Sequence, residues 1–61
     1  MNKLKEIREK NNISVEKLAI LVGVSARHIR FIETGDRLPS LKIAFKLAKT
    51  LKVKVDEIFL P

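Results

Sequence analysis

The sequence predicts a single all-α domain of five helices spanning all 61 residues, with the second and third helices joined as a helix-turn-helix. Three observations carry this. Apolar residues recur at helical spacing along most of the chain, and no stretch alternates long enough to make a strand; Lys52-Val53-Lys54-Val55 comes nearest. Serines stand just before three of the apolar segments, at Ser14, Ser25 and Ser40, where a hydroxyl can accept the free N–H groups of a helix start. Glycines close two of those segments, at Gly23 and Gly35, where a helix ends most easily in a left-handed residue.

The first helix rests on Leu4 and Ile7, three apart among Lys3, Lys5, Glu6, Arg8, Glu9 and Lys10, and closes near Asn11-Asn12. Ser14 caps the second, with Glu16 in its first turn at the positive end of the helix dipole. Leu18 to Val22 is apolar on nearly every side, which predicts a central, buried helix. After Gly23, Val24 plugs the core. The third helix, about Ser25 to Thr34, offers the core only Ile29 and Ile32. Asp36-Arg37-Leu38-Pro39 is a loop leading to the cap Ser40. The fourth helix carries Leu41, Ala44, Phe45, Leu47, Ala48 and Leu51 on one face and Lys42, Lys46 and Lys49 on another. A short fifth helix opens with Asp56 and Glu57 and continues through Ile58, Phe59 and Leu60.

Thirteen Lys+Arg stand against seven Asp+Glu, a net charge of +6. That balance favours a polyanionic partner, nucleic acid first and an anionic membrane second. The longest unbroken apolar run is Leu18–Val22, far short of the about 20 residues that span a bilayer. The lysine-rich fourth helix needs its apolar face for the core, which argues against membrane insertion. The start of the chain turns acidic at Glu6 before any apolar run, so no signal peptide is read there, and a cytoplasmic, nucleoid-associated protein is expected. With no cysteine there is no disulfide or zinc finger, and a single histidine makes no metal site. A chain this short has no room for a cofactor fold or a deep substrate cleft, so no cofactor and no small-molecule ligand are expected. Ser14, Ser25 and Ser40 read as caps rather than nucleophiles. The carboxylate pairs Glu6/Glu9 and Asp56/Glu57 lie on helices with no cleft between them, so no enzyme is expected.

The functional signal is a set of coincidences at fixed offsets. Ala19 is small where two helices must cross closely, Gly23 follows four residues later at the turn, and Ile29 and Ile32 anchor the next helix from below. At these residues the chain resembles the lambda-repressor-like group of regulators, the XRE or Cro/CI-type helix-turn-helix family. The matching stretches are Leu4-Lys5-Glu6-Ile7-Arg8, Glu16-Lys17-Leu18-Ala19, Gly23-Val24-Ser25, Ile29-Arg30-Phe31-Ile32-Glu33, Gly35, Pro39-Ser40-Leu41 and Val55-Asp56-Glu57-Ile58-Phe59. The resemblance implies five helices and sequence-specific binding of double-stranded DNA, usually as a homodimer on a palindromic operator, and the leading reading is a transcriptional regulator that acts as a repressor. It also implies an ion pair between Glu33 and Arg8 that ties the first helix to the third and points Arg8 at the DNA backbone. Two positions depart from the family pattern. Val15 stands where the family often has Gln, which removes a usual phosphate contact, and Lys54 stands where a small polar cap is usual, so the fifth helix is expected to fray.

On the third helix, Ile29 and Ile32 fix the buried side. Arg27, Arg30, Phe31 and Thr34 then point outward, with His28 and Ala26 on the flanks. The plain alternative is a surface helix with chance basic residues and Phe31 folded back on the domain. The functional reading makes Arg27 and Arg30 donors to guanine O6 and N7, Phe31 an apolar partner for a thymine methyl, and Ala26 a point of close approach. This helix has no Asn or Gln, so bidentate reading of adenine is closed to it. Phosphate contacts are assigned to Lys17, Ser25, His28, Thr34, Arg37, Ser40 and Lys42, with Ser40 opening a helix whose free N–H groups attract anions. Lys46, Lys49, Lys52 and Lys54 read as a solvated basic face.

The competing readings are an antitoxin-type regulator that also binds a protein toxin, and a protein-interaction adaptor of the same fold. The outward Arg27, Arg30 and Phe31 argue against the adaptor. The candidate dimer interface is Val55, Ile58, Phe59 and Leu60. The fifth helix is too short to bury this cluster alone; Val53, Val55 and Ile58 serve the core on the simpler reading, leaving Phe59 and Leu60, beside Pro61, as a self-complementary patch.

Overall fold

The computed structural model describes residues 2–60. Five helices follow one another: α1 (Leu4–Lys10), α2 (Val15–Val22), α3 (Ala26–Thr34), α4 (Leu41–Leu51) and α5 (Val55–Phe59), with no strand among the described residues. The three serine caps form as their positions predict. Ser14 Oγ accepts the Lys17 N–H at 3.0 Å, Ser25 Oγ the His28 N–H at 3.0 Å, and Ser40 Oγ the Ile43 N–H at 3.2 Å. Gly23 (φ 87°) and Gly35 (φ 85°) end α2 and α3 in the left-handed region, where a side chain is disfavoured. Lys52 ends α4 in the same region (φ 59°) without being glycine, and the next N–H, of Val53, returns to the Ala48 carbonyl.

The expected fraying of α5 is corrected. Lys54 has no side-chain oxygen to cap with, but Glu57 reaches back, and its Oε2 accepts the Lys54 N–H at 2.6 Å.

The core is built from Leu4, Leu18, Val22, Ile29, Ile32, Leu47, Leu51 and Ile58, all essentially inaccessible, with Ala19, Ala44 and Ala48 where helices approach closely. Burying each large aliphatic side chain stabilises the domain by about 1.5–3 kcal/mol, which is how so short a chain holds together without disulfide or metal. α2 packs against α3 and α4, and α1 against α3 and α5. The N-terminal strap adds hydrogen bonds across the fold. Asn2 Nδ2 donates to the Ile32 carbonyl (2.7 Å), Asn2 Oδ1 accepts the Leu4 N–H (2.9 Å), and the Lys3 N–H donates to the Ile58 carbonyl (2.9 Å).

Two burial expectations fail. α2 is not buried all round: Ile20 is 75% exposed and Leu21 is also exposed, because α3 and α4 meet it on the stripe of Leu18, Ala19 and Val22 only. On α4, Leu41 and Phe45 are exposed rather than packed, since no other helix covers that part of its apolar face. Among the described residues no helix is long and apolar enough to cross a membrane, and no group of three or more His, Cys, Asp or Glu is placed to hold a metal.

Candidate nucleic-acid interface

The interface is set by how α3 sits on α2. The left-handed turn at Gly23 and the Ser25 cap swing α3 across α2, and Ile29 and Ile32, both fully buried, fix its roll. Arg27, Arg30, Phe31 and Thr34 follow the i, i+3, i+4, i+7 spacing of one helix face, away from the core.

Arg27 is exposed, and its guanidinium lies over the Phe31 ring, 5.3 Å from the centroid. Such a contact steadies a flexible cation without using its N–H donors. Phe31 is half-buried and supplies one wall of a shallow cleft whose other walls are Ser25, Arg27, His28 and Arg37. Arg37 is brought there because its backbone N–H donates to the Phe31 carbonyl (3.1 Å), folding the loop back over the end of α3. The cleft thus gathers five residues the sequence assigned to DNA, from the start of α3, its middle and the loop beyond it.

The remaining assignments divide. Ser25 and Ser40 use their oxygens as caps, which leaves each O–H free to donate outward. Lys17 and Lys42 are exposed on α2 and α4. Ala26 is half-buried and packs against the core, so it marks the edge of the outward face rather than its middle. Thr34 is already engaged: its hydroxyl faces both the Phe31 carbonyl (3.1 Å) and Asp36 Oδ2 (2.8 Å), which sets a carboxylate beside it.

Arg8 and Glu33 form the ion pair the resemblance implies, Arg8 Nε to Glu33 Oε2 at 2.6 Å, with side chains 10% and 7% exposed. Arg8 Nη1 also donates to the Ile13 carbonyl at 2.8 Å. The expectation that Arg8 points at DNA is corrected, because its guanidinium is enclosed between α1, α3 and the loop before α2 and serves the fold.

The sequence reading missed Glu16. Its Oε2 accepts from Arg30 Nη2 at 2.7 Å, joining the first turn of α2 to the outer face of α3. The carboxyl is held below its ordinary pKa, first by its own backbone N–H at the helix start and then by the Arg30 guanidinium. The two residues are 14 apart in sequence, and only the crossing of α2 and α3 makes them neighbours.

The expected dimer cluster is also revised. Ile58 is completely buried in its own domain and is withdrawn from the surface set. Val55 and Phe59 are half-buried, and Leu60 is 60% exposed; Pro61 lies outside the described residues. The exposed Leu38 of the preceding loop and Leu41 and Phe45 of α4 extend this apolar surface, and a groove between Phe45, Val53, Val55, Phe59 and Leu60 runs along it. The width of the apolar stripe on α4, broader than its neighbours α2 and α5 cover, is the signal that could have found them.

A cation-bearing helix held outward on a partner helix by a left-handed glycine turn is the architecture of a helix-turn-helix DNA-binding protein. The chain belongs to the XRE-type helix-turn-helix family, whose model matches residues 4–58. It is 49% identical over 59 residues to an uncharacterised HTH-type transcriptional regulator of Methanocaldococcus jannaschii, covering 97% of this chain and 89% of that one. A second relative, the uncharacterised HTH-type transcriptional regulator YgzD of Bacillus subtilis, is 41% identical over 58 residues, covering 95% and 88%. Among solved structures, the restriction-modification controller protein C.AhdI from Aeromonas hydrophila superposes with a TM-score of 0.84 at 34% identity, over 90% of this chain and 83% of that one. The protein is a transcriptional regulator with a helix-turn-helix DNA-binding domain.

Proposed function

We propose that the protein is a sequence-specific repressor that reads the major groove of double-stranded DNA with α3, as a homodimer on a palindromic operator. The observation that carries this reading is Arg27: exposed, without a carboxylate partner among the described residues, and braced on Phe31 in the middle of a basic cleft. A guanidinium so placed offers two parallel donors to guanine O6 and N7. Phe31 then meets a thymine methyl, with Ala26 at the margin. Ser25, His28, Arg37, Ser40, Lys17 and Lys42 form the surrounding phosphate ring. Since α3 has neither Asn nor Gln, half-sites rich in G·C pairs and thymine are expected.

One reading helix gives few base contacts, so the site is doubled. The second copy is assigned to the apolar surface of α4 and α5, where Leu41, Phe45, Phe59 and Leu60 lie. At 25 × 22 × 19 Å the domain is small enough for two abutting copies to set their α3 helices about 34–36 Å apart, one turn of DNA.

The test is selection of bound sequences from a random duplex pool, followed by salt titration on the winner. A palindromic consensus is expected, with log affinity falling linearly in log salt at about −0.9 per phosphate neutralised. No enrichment over the input pool would end the proposal.

A further inference from the structure

We propose that Glu16 is a specificity-determining residue: it holds Arg30 away from phosphate and so weakens binding to DNA of arbitrary sequence more than binding to the operator. The inference rests on the DNA-reading role of α3 and adds a restraint to it. Two arginines stand on the outer face of α3, and the structure treats them differently. Arg27 rests on an aromatic ring and keeps its charge and donors free. Arg30 faces a carboxylate at 2.7 Å. The one carboxylate of α3 itself, Glu33, is already taken by Arg8.

The Glu16–Arg30 pair is a poor candidate for a stabiliser of the fold. Its side chains are 64% and 55% exposed, and ion pairs so open to water contribute little. Its effect is on charge. Glu16 is fixed at the positive end of α2, where its own backbone N–H favours the ionised form, and Arg30 comes to it. To bind a phosphate, Arg30 has to leave Glu16, and an exposed carboxylate is then left facing a polyanion.

Binding to random DNA depends almost wholly on phosphate neutralisation, so this penalty falls on it in full. Operator binding has the base contacts of Arg27 to draw on, and these do not require Arg30 to move. A carboxylate beside the reading helix therefore widens the gap between right and wrong sites by lowering the floor.

The experiment compares wild type, Glu16→Gln, Arg30→Ala and the double variant on the selected operator and on a random-sequence duplex over a range of KCl. Glu16→Gln is expected to tighten the random duplex several-fold and to steepen its salt slope by about 0.9, one added phosphate contact, with a smaller gain on the operator. In the Arg30→Ala background the steepening should vanish. Random-duplex affinity and slope unchanged in Glu16→Gln would overturn the proposal. So would a loss of operator affinity in Glu16→Gln that matches Arg30→Ala, since Glu16 would then be aiming Arg30 at a base. A DNA-independent arm follows the Glu16 carboxyl by NMR. Its titration midpoint should rise in Arg30→Ala yet stay below the ordinary value, because the backbone N–H remains; no rise means no pair and overturns the proposal alone. Wild type that binds neither duplex would remove the DNA-reading role itself.

Discussion

Removing the Glu33 carboxylate tests how far the fold depends on one buried charge. In Glu33→Ala, Arg8 keeps its hydrogen bond to the Ile13 carbonyl but loses the carboxylate 2.6 Å from its Nε, inside a site where both side chains are nine-tenths covered or nearly so. Breaking a buried pair from one side typically costs about 3–5 kcal/mol. The retained Ile13 contact argues for the lower end, about 3 kcal/mol by the same principle. A domain of this length has about 3–9 kcal/mol of stability in total, at 0.05–0.15 kcal/mol per residue. At about 4–8 °C per kcal/mol for a domain of this size, the midpoint of thermal unfolding should fall by about 12–24 °C. Circular dichroism at 222 nm would follow the melt. A second variant, Arg8→Met with Glu33→Leu, should recover much of the loss, because paired removal leaves no orphan charge. If Glu33→Ala melts within about 3 °C of wild type, a shift of under 1 kcal/mol, the pair is not what joins α1 to α3.

Three further outcomes are expected. Arg27→Ala should cost about 1–3 kcal/mol on the selected operator and relax the preference at one base pair, measured by repeating the selection with the variant; an unchanged consensus would remove Arg27 as a reader. Gly23→Ala should destabilise by about 1–2 kcal/mol in urea titration, a purely backbone effect, because φ is 87° and a Cβ there meets nothing within 4 Å; a loss far above that range would mean a clash the structure does not contain. Phe45→Lys with Leu60→Lys, both more than half exposed, should leave the melt near wild type and shift sedimentation toward the monomer while weakening operator binding; a dimer of unchanged strength would place the interface elsewhere.

What the sequence made legible is what is encoded locally. The caps at Ser14, Ser25 and Ser40 and the stops at Gly23 and Gly35 each depend on a residue's own chemistry within a turn of its neighbours, and every one appears in the structure. The roll of α3 followed from Ile29 and Ile32 alone. Burial was less legible where a helix has more apolar surface than it has neighbours. Periodicity marks Ile20, Leu41 and Phe45 as apolar but cannot say which side another helix will cover. The Glu16–Arg30 contact lay beyond reach because it is made by the crossing of two helices, and the enclosure of Arg8 because it depends on the Ile13 carbonyl as well as on Glu33. Lys52 gives no hint of its left-handed backbone, since lysine has no preference for it.

The strap that links the two ends of the fold has a consequence for synthesis on the ribosome. Leu4 and Ile58 share one core, and the Lys3 N–H bonds to the Ile58 carbonyl, so the first helix has no complete seat until the fifth has emerged. The α3 segment is therefore translated before the last helix of the scaffold that holds it. A nascent chain passes through an interval in which α3 is already made and the core is still open, and closure waits on the last core residue, Ile58.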